Sequence, residues 1–234
     1  MRKCKVIVFT GGCFSGKTTT MEKMKDIFTK QLEIKTEILK EPIRNYPGAD
    51  NIDELRKDPS KYLEMQETTT YDRYTNLIRA VHEHKNDEIV FLVDRALSDV
   101  MFYSTYYLKK EDLSTANNEQ FIYKRFLKNV ENYAEYCGRE IYDYILEFHP
   151  LDFDVQKSED TKFRPEKINE LKWIEHEHIK EWNKKLFKDK AQIDWTCYNH
   201  MFDIDLNKLT DDKLEQNIIS LGNSIRNGWV EYGE

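Results

Sequence analysis

The stretch Lys5-Val6-Ile7-Val8-Phe9-Thr10-Gly11-Gly12-Cys13-Phe14-Ser15-Gly16-Lys17-Thr18 decides the reading of this chain. Its first six residues are a largely apolar run, typical of a strand buried on both faces. The next eight match G-x-x-x-x-G-K-[ST] in full, and Lys17 to about Gln31 has helical patterning. Strand, glycine loop and helix thus follow one another as a phosphate cradle requires. Glycines let the backbone turn tightly and aim successive N–H groups at one anion. The helix that follows adds its positive end. Gly11, Gly12, Cys13, Phe14, Ser15, Gly16, Lys17, Thr18 and Thr19 are therefore expected to hold ATP. Lys17 would neutralise the β and γ phosphates, and the Thr18 hydroxyl would bind Mg²⁺.

Outward from the loop, further strands are expected at Thr36–Lys40, Glu88–Asp94, Tyr142–Phe148 and near Met201–Ile204. Helical patterns lie between them: Asp53 to Asn86, broken near Pro59, and a last helix with Leu214, Ile218, Leu221 and Ile225 on one face. The stretch from Glu166 to Lys190 carries Leu171, Ile174, Trp182 and Leu186 at helical spacing and reads as a packed stripe with a solvated back. Alternating strands and helices imply an α/β fold: a three-layer P-loop NTPase with a five-stranded parallel sheet, helices on both faces and a lid after the fourth strand. All 234 residues are expected to form one domain. Ligands of such sheets sit at the carboxyl ends of the strands.

Polar residues cluster at those ends. Glu41-Pro42-Ile43-Arg44 closes the second strand, where Glu41 can take the proton from an attacking hydroxyl. Asp94-Arg95 closes the third: Asp94 suits Mg²⁺, and Arg95 suits charge on a transferring phosphoryl group. Asp99 either serves the same site or caps a helix. A basic-dotted lid at about residues 152–166 holds Lys157, Lys162 and Arg164, of which Arg164 is the leading phosphate contact. Arg73 can pair with an acceptor phosphate if the substrate is a nucleotide, but a lone arginine on a helix more often faces solvent; Tyr71, Tyr74, Phe102 and Tyr103 can stack on a ring or fill core.

The rest of the chain excludes more than it adds. Net charge is −7, with 36 Lys and Arg against 43 Asp and Glu. Nucleic acid is therefore a disfavoured partner, though left open. No run approaches the roughly 18 apolar residues of a spanning helix, and no signal-peptide pattern is seen. No membrane role is expected. Four scattered cysteines, Cys4, Cys13, Cys137 and Cys197, fit free thiols in the cytoplasm. The six histidines form no metal signature. A switch GTPase would need Asp-x-x-Gly, which is missing. Asn207-Lys208-Leu209-Thr210-Asp211 has one residue too many for a guanine motif and suits a helix start capped by Thr210 or Asp211.

The order of P-loop, Glu-Pro, helical Asp58-Pro59…Met65-Gln66, Asp94-Arg95-x-x-x-Asp99 and basic lid resembles the deoxynucleoside kinase and thymidylate kinase branch of P-loop kinases. It is also similar to the NadR-like nicotinamide riboside kinases. The resemblance covers Lys5 to about Lys185. It implies that Glu41 is the general base, that Asp94-Arg95 serves the metal and the 5′-hydroxyl, and that Gln66 hydrogen-bonds the base. Two departures stand out: the family's Glu-Arg-Ser is Asp94-Arg95-Ala96 here, and the lid has one arginine, Arg164, where the family usually shows two or more. Expected, then, is Mg²⁺-dependent phosphoryl transfer from ATP to a hydroxyl of a (deoxy)nucleoside, nucleotide or related small molecule. Glu41, Lys17, Asp94, Arg95 and Arg164 are its catalytic set, and Glu41, Arg44, Gln66, Arg73 and Arg95 its acceptor set. A homodimer is compatible with this. Two rivals remain open: a kinase acting on a modified nucleotide within DNA, and a regulatory ATP-binding module.

Overall fold

The computed structural model describes residues 2–153, 168–188 and 200–231. Five strands, β1 (Lys5–Thr10), β2 (Lys35–Leu39), β3 (Ile89–Asp94), β4 (Tyr144–Phe148) and β5 (His200–Ile204), form one sheet in the order β2-β3-β1-β4-β5. Every neighbouring pair is parallel. The α/β expectation holds, and the strands fall within two residues of where the sequence puts them. No helix among the described residues is long and apolar enough to cross a membrane.

Strand alternation builds the layers. Val6 and Val8 of β1, with Ile89, Phe91 and Val93 of β3, point into one core. Ile7 and Phe9, with Val90 and Leu92, point into the other. The second core is closed by α1 (Lys17–Lys30) and α7 (Asp211–Glu231). From α1 come Met21, Met24, Ile27 and Phe28; from α7 come Ile218, Ile225 and Trp229. Burial of each such side chain is worth about 1.5–3 kcal/mol. Thr210 Oγ1 accepts from Lys213 N–H at 3.3 Å and so caps α7, as its position suggested.

The first core is covered by α2 (Ile52–Arg56), α3 (Pro59–Glu83), α4 (Leu97–Tyr106) and α5 (Glu119–Tyr136). Asp58 caps α3 by accepting from Lys61 N–H at 3.2 Å, with Pro59 at its first position, so the helical region does break there. The sequence pattern shows neither α4 nor α5. Residues 97–102 of α4 are all buried, which erases the polar face that would mark a helical period.

Helix α6 (Ile168–Asn183) corrects one expectation. Ile174, assigned to the packed stripe, is 40% exposed. The buried face is Lys172, Glu175, His176, Ile179 and Asn183, followed by Leu186. Those positions are spaced 3, 1, 3, 4 and 3, so the helical period is real but its inner side is polar. This face packs on α4 and on the glycine loop.

Candidate active site

The glycine loop begins where β1 ends. Gly11 sits at φ 130°, and a Cβ there would lie 2.5 Å from the Phe148 carbonyl oxygen. Only glycine fits both demands. Phe14 (φ 53°) and Gly16 (φ 77°) complete the turn into α1. Lys17 is 6% exposed, and its Nζ donates to Gly11 O (2.8 Å), Gly12 O (2.6 Å) and Ser15 Oγ (2.9 Å). Burial, and then the nearby Arg95 charge, lower its pKa to about 8. Thr18 and Thr19 are exposed on the first turn of α1.

Across the loop, Asp94 and Arg95 leave β3. Asp94 pairs with Phe9 in the sheet register, and its charge reaches Lys17. Arg95 is 2% exposed at φ 76°, held by its N–H to Phe9 O at 3.0 Å. A non-glycine residue in that region stores about 1–3 kcal/mol of strain, a cost common at functional sites. Its Nε meets Glu41 Oε1 at 3.0 Å, and Arg73 Nη2 meets the same oxygen at 3.2 Å. Arg95 Nη1 donates to Tyr103 OH at 2.8 Å. Burial is the largest single influence and works against the Arg95 charge, but Glu41, Tyr103, Cys13 and Asp99 together raise the pKa well above the ordinary arginine value.

Asp99 resolves toward the structural option. One oxygen accepts from Thr10 Oγ1 (2.9 Å) and Gly11 N–H (3.2 Å), and the other accepts from Ala96 N–H (2.9 Å) at the start of α4. It ties the loop to that helix. Burial raises its pKa, although Arg95 and Lys17 pull it down.

These groups surround a narrow cavity of about 40 Å³, lined by Cys13, Glu41, Gln66, Arg73, Arg95 and Tyr103 among others. Gln66 is 5% exposed and accepts from Ser104 Oγ at 3.5 Å. So the structure brings Cys13, Glu41, Gln66, Arg73 and Arg95 of the sequence candidates to one space, with Lys17 adjoining through the loop. Tyr103 joins them, while Tyr71 is 61% exposed, Tyr74 stacks on Tyr133 at 4.2 Å, and Phe102 sits in an aromatic cluster with Tyr106 and Tyr107. The Arg44 backbone is in the 3-10 turn Pro42–Asn45 directly after Glu41; its side chain lies outside the described residues, as do Lys157, Lys162, Arg164 and Cys197.

Sequence reasoning did not single out three neighbours. Glu175, fully buried, accepts from Cys13 N–H at 2.8 Å. Arg56 stacks over the Tyr107 ring at 3.5 Å and lines the cavity. Asn183 donates to Glu147 Oε2 (2.7 Å) and Thr10 Oγ1 (3.2 Å), bracing the strand ends. The signal for α6 was its polar residues at helical spacing, hidden beside an apolar set with a similar period. The Nε atoms of Arg56 and Arg73 are buried with no hydrogen-bond partner among the described residues.

A family model described as an AAA domain matches residues 6–187, and the chain belongs to that family. No curated protein matches it. Among solved structures, a NadR protein in complex with NR has a TM-score of 0.58 at 20% identity, covering 94% of this chain and 51% of that one. A NadR protein with NAD and AMP-PNP has a TM-score of 0.52 at 20% identity, covering 94% and 49%. The chain thus spans about half the length of the NadR chains. A deoxyadenosine kinase from M. mycoides with bound dATP has a TM-score of 0.49 at 20% identity, covering 93% and 98%. At such identities the NadR likeness is one of fold.

Proposed function

We propose that this AAA-domain family member is a Mg²⁺-dependent kinase. It moves the terminal phosphoryl group of ATP to a hydroxyl of a nucleoside, nucleotide or related small molecule, with residues 1–234 acting as one kinase domain. The observation that supports this most is the shared cavity: Cys13 of the glycine loop lines the same space as Glu41, Gln66, Arg73 and Arg95. A donor held by the loop and an acceptor held by Glu41 and its arginines meet there. The AMP-PNP in a NadR structure of this fold also favours a triphosphate ligand.

The loop amides and Lys17 hold the donor. Thr18, exposed on the first turn of α1, and Asp94, at the end of β3, offer the oxygen ligands that a hard cation prefers. Mg²⁺ held there would neutralise phosphate charge. Glu41 accepts the acceptor hydroxyl proton. The freed oxygen bonds to the γ phosphorus while the bond to the β–γ bridging oxygen breaks, and ADP departs. Arg95 stabilises the charge that builds up, Arg73 and Gln66 orient the acceptor, and Arg44 and Arg164 are further contacts proposed from sequence. Candidate nucleosides and nucleotides incubated with γ-labelled ATP test the reading. Label on one acceptor class supports it. Tight ATP binding with no transfer to any acceptor favours the regulatory module instead, a reading supported by the way α6 covers the loop.

A further inference from the structure

We propose that Cys13 N–H, Tyr103 OH and Tyr107 OH form a phosphoryl subsite that Glu175 fills in the free protein, so that the enzyme carries its own competing anion. This rests on the donor half of the function proposed above.

Glu175 is fully buried, yet it belongs to no apolar layer. Its Oε2 accepts from Cys13 N–H at 2.8 Å and from Tyr103 OH at 3.3 Å, and its Oε1 accepts from Tyr107 OH at 3.4 Å. A main-chain amide of a glycine loop plus hydroxyl donors is the environment a phosphate oxygen takes. The carboxylate therefore satisfies a donor that the motif reserves for nucleotide. Arg95 strengthens the subsite, since its Nη1 donates to Tyr103 and its Nη2 reaches Cys13 Sγ at 3.7 Å.

The surroundings agree. A Cβ on Gly12 would lie 2.9 Å from Lys172 O and 3.2 Å from Glu175 Cβ, so the α6 backbone rests directly on the loop. Lys17 turns back onto its own loop carbonyls. The cavity beside it, about 40 Å³, is narrow and has room for a few waters. One end of α6 is fastened by Lys172 Nζ to Leu151 O (2.7 Å) and Phe153 O (2.9 Å), the other by Asn183. Glu175 sits between these fastenings, so withdrawal of its side chain opens the subsite while the helix stays anchored. Two anions cannot share these donors, and ATP must displace the carboxylate.

The test is ATP affinity by calorimetry for wild type, Glu175→Gln and Glu175→Ala, with Tyr107→Phe added to Glu175→Gln. Both single variants should bind ATP at least tenfold more tightly. The added Tyr107→Phe should take back part of that gain, because the hydroxyl then serves phosphate. Equal or weaker ATP binding by folded Glu175→Gln would overturn the proposal and leave the donor reading intact. Tighter binding without transfer to any acceptor supports the proposal and removes the kinase reading. No ATP binding by any form overturns both. Should the variants not fold, wild type crystallised with a non-hydrolysable ATP analogue decides. Glu175 turned away from Cys13 N–H supports the proposal; the 2.8 Å bond still in place overturns it.

Discussion

Helices α6 and α7 each bury one face, and the two faces carry different chemistry. The inner face of α7 is Ile218, Ile225 and Trp229 against an apolar core. The inner face of α6 is Lys172, Glu175, His176 and Asn183 against the glycine loop and the strand ends. An apolar face stabilises by area and tolerates exchange of shape. A polar buried face stabilises only while every partner is present. The helix that covers the loop is therefore the one built for pairing.

Mutations separate the two kinds of helix. The largest effect is expected at the loop itself: Lys17→Met should lower phosphoryl transfer by about 10³-fold, the scale of removing a charge-stabilising donor, as read in single turnovers. Next, Asn183→Leu strands Glu147 and Thr10, whose bonds to Asn183 are 2.7 and 3.2 Å. It should cost about 2–4 kcal/mol in urea unfolding. Ile218→Leu, the matching apolar exchange on α7, should cost less than about 1.5 kcal/mol. Equal losses at the two sites would erase the distinction.

Two pH profiles sharpen it further. Burial lowers the Lys17 pKa to about 8 in the free protein, while bound phosphate favours its charged form. ATP affinity should accordingly fall as pH rises above about 8, by at most about tenfold per unit. As pH rises from about 8 to 10.5 the same group should raise the unfolding free energy, because the unfolded chain still holds a proton that the folded chain has lost. The smallest effect comes from His176. Burial, together with His149 at a ring distance of 4.4 Å, lowers its pKa below 6.5. Below that pH the unfolded state takes up the proton first, so the melting temperature should drop as pH falls. His176→Gln should flatten that limb.

What was legible follows the same division. β1, β3 and α7 announce themselves by apolar runs and period, and the loop by its glycines, because those signals are local. Glu41, Arg73 and Arg95 could be named one by one, but their convergence on one carboxylate oxygen depends on the order of β2, β3 and α3 in space. Asp99 could be read as part of the site or as a helix cap; its bonds to Ala96 N–H and Gly11 N–H make it a brace. Glu175 stayed hidden because a charged residue on a Lys/Glu-rich helix reads as solvated. Only tertiary packing shows that it faces an amide.

Glu41→Gln is the decisive variant for the proposed general base, with transfer and ATP affinity measured on the same preparation. Transfer should fall by about 10²-fold or more while ATP affinity stays close to wild type. Transfer at the wild-type rate would contradict that role.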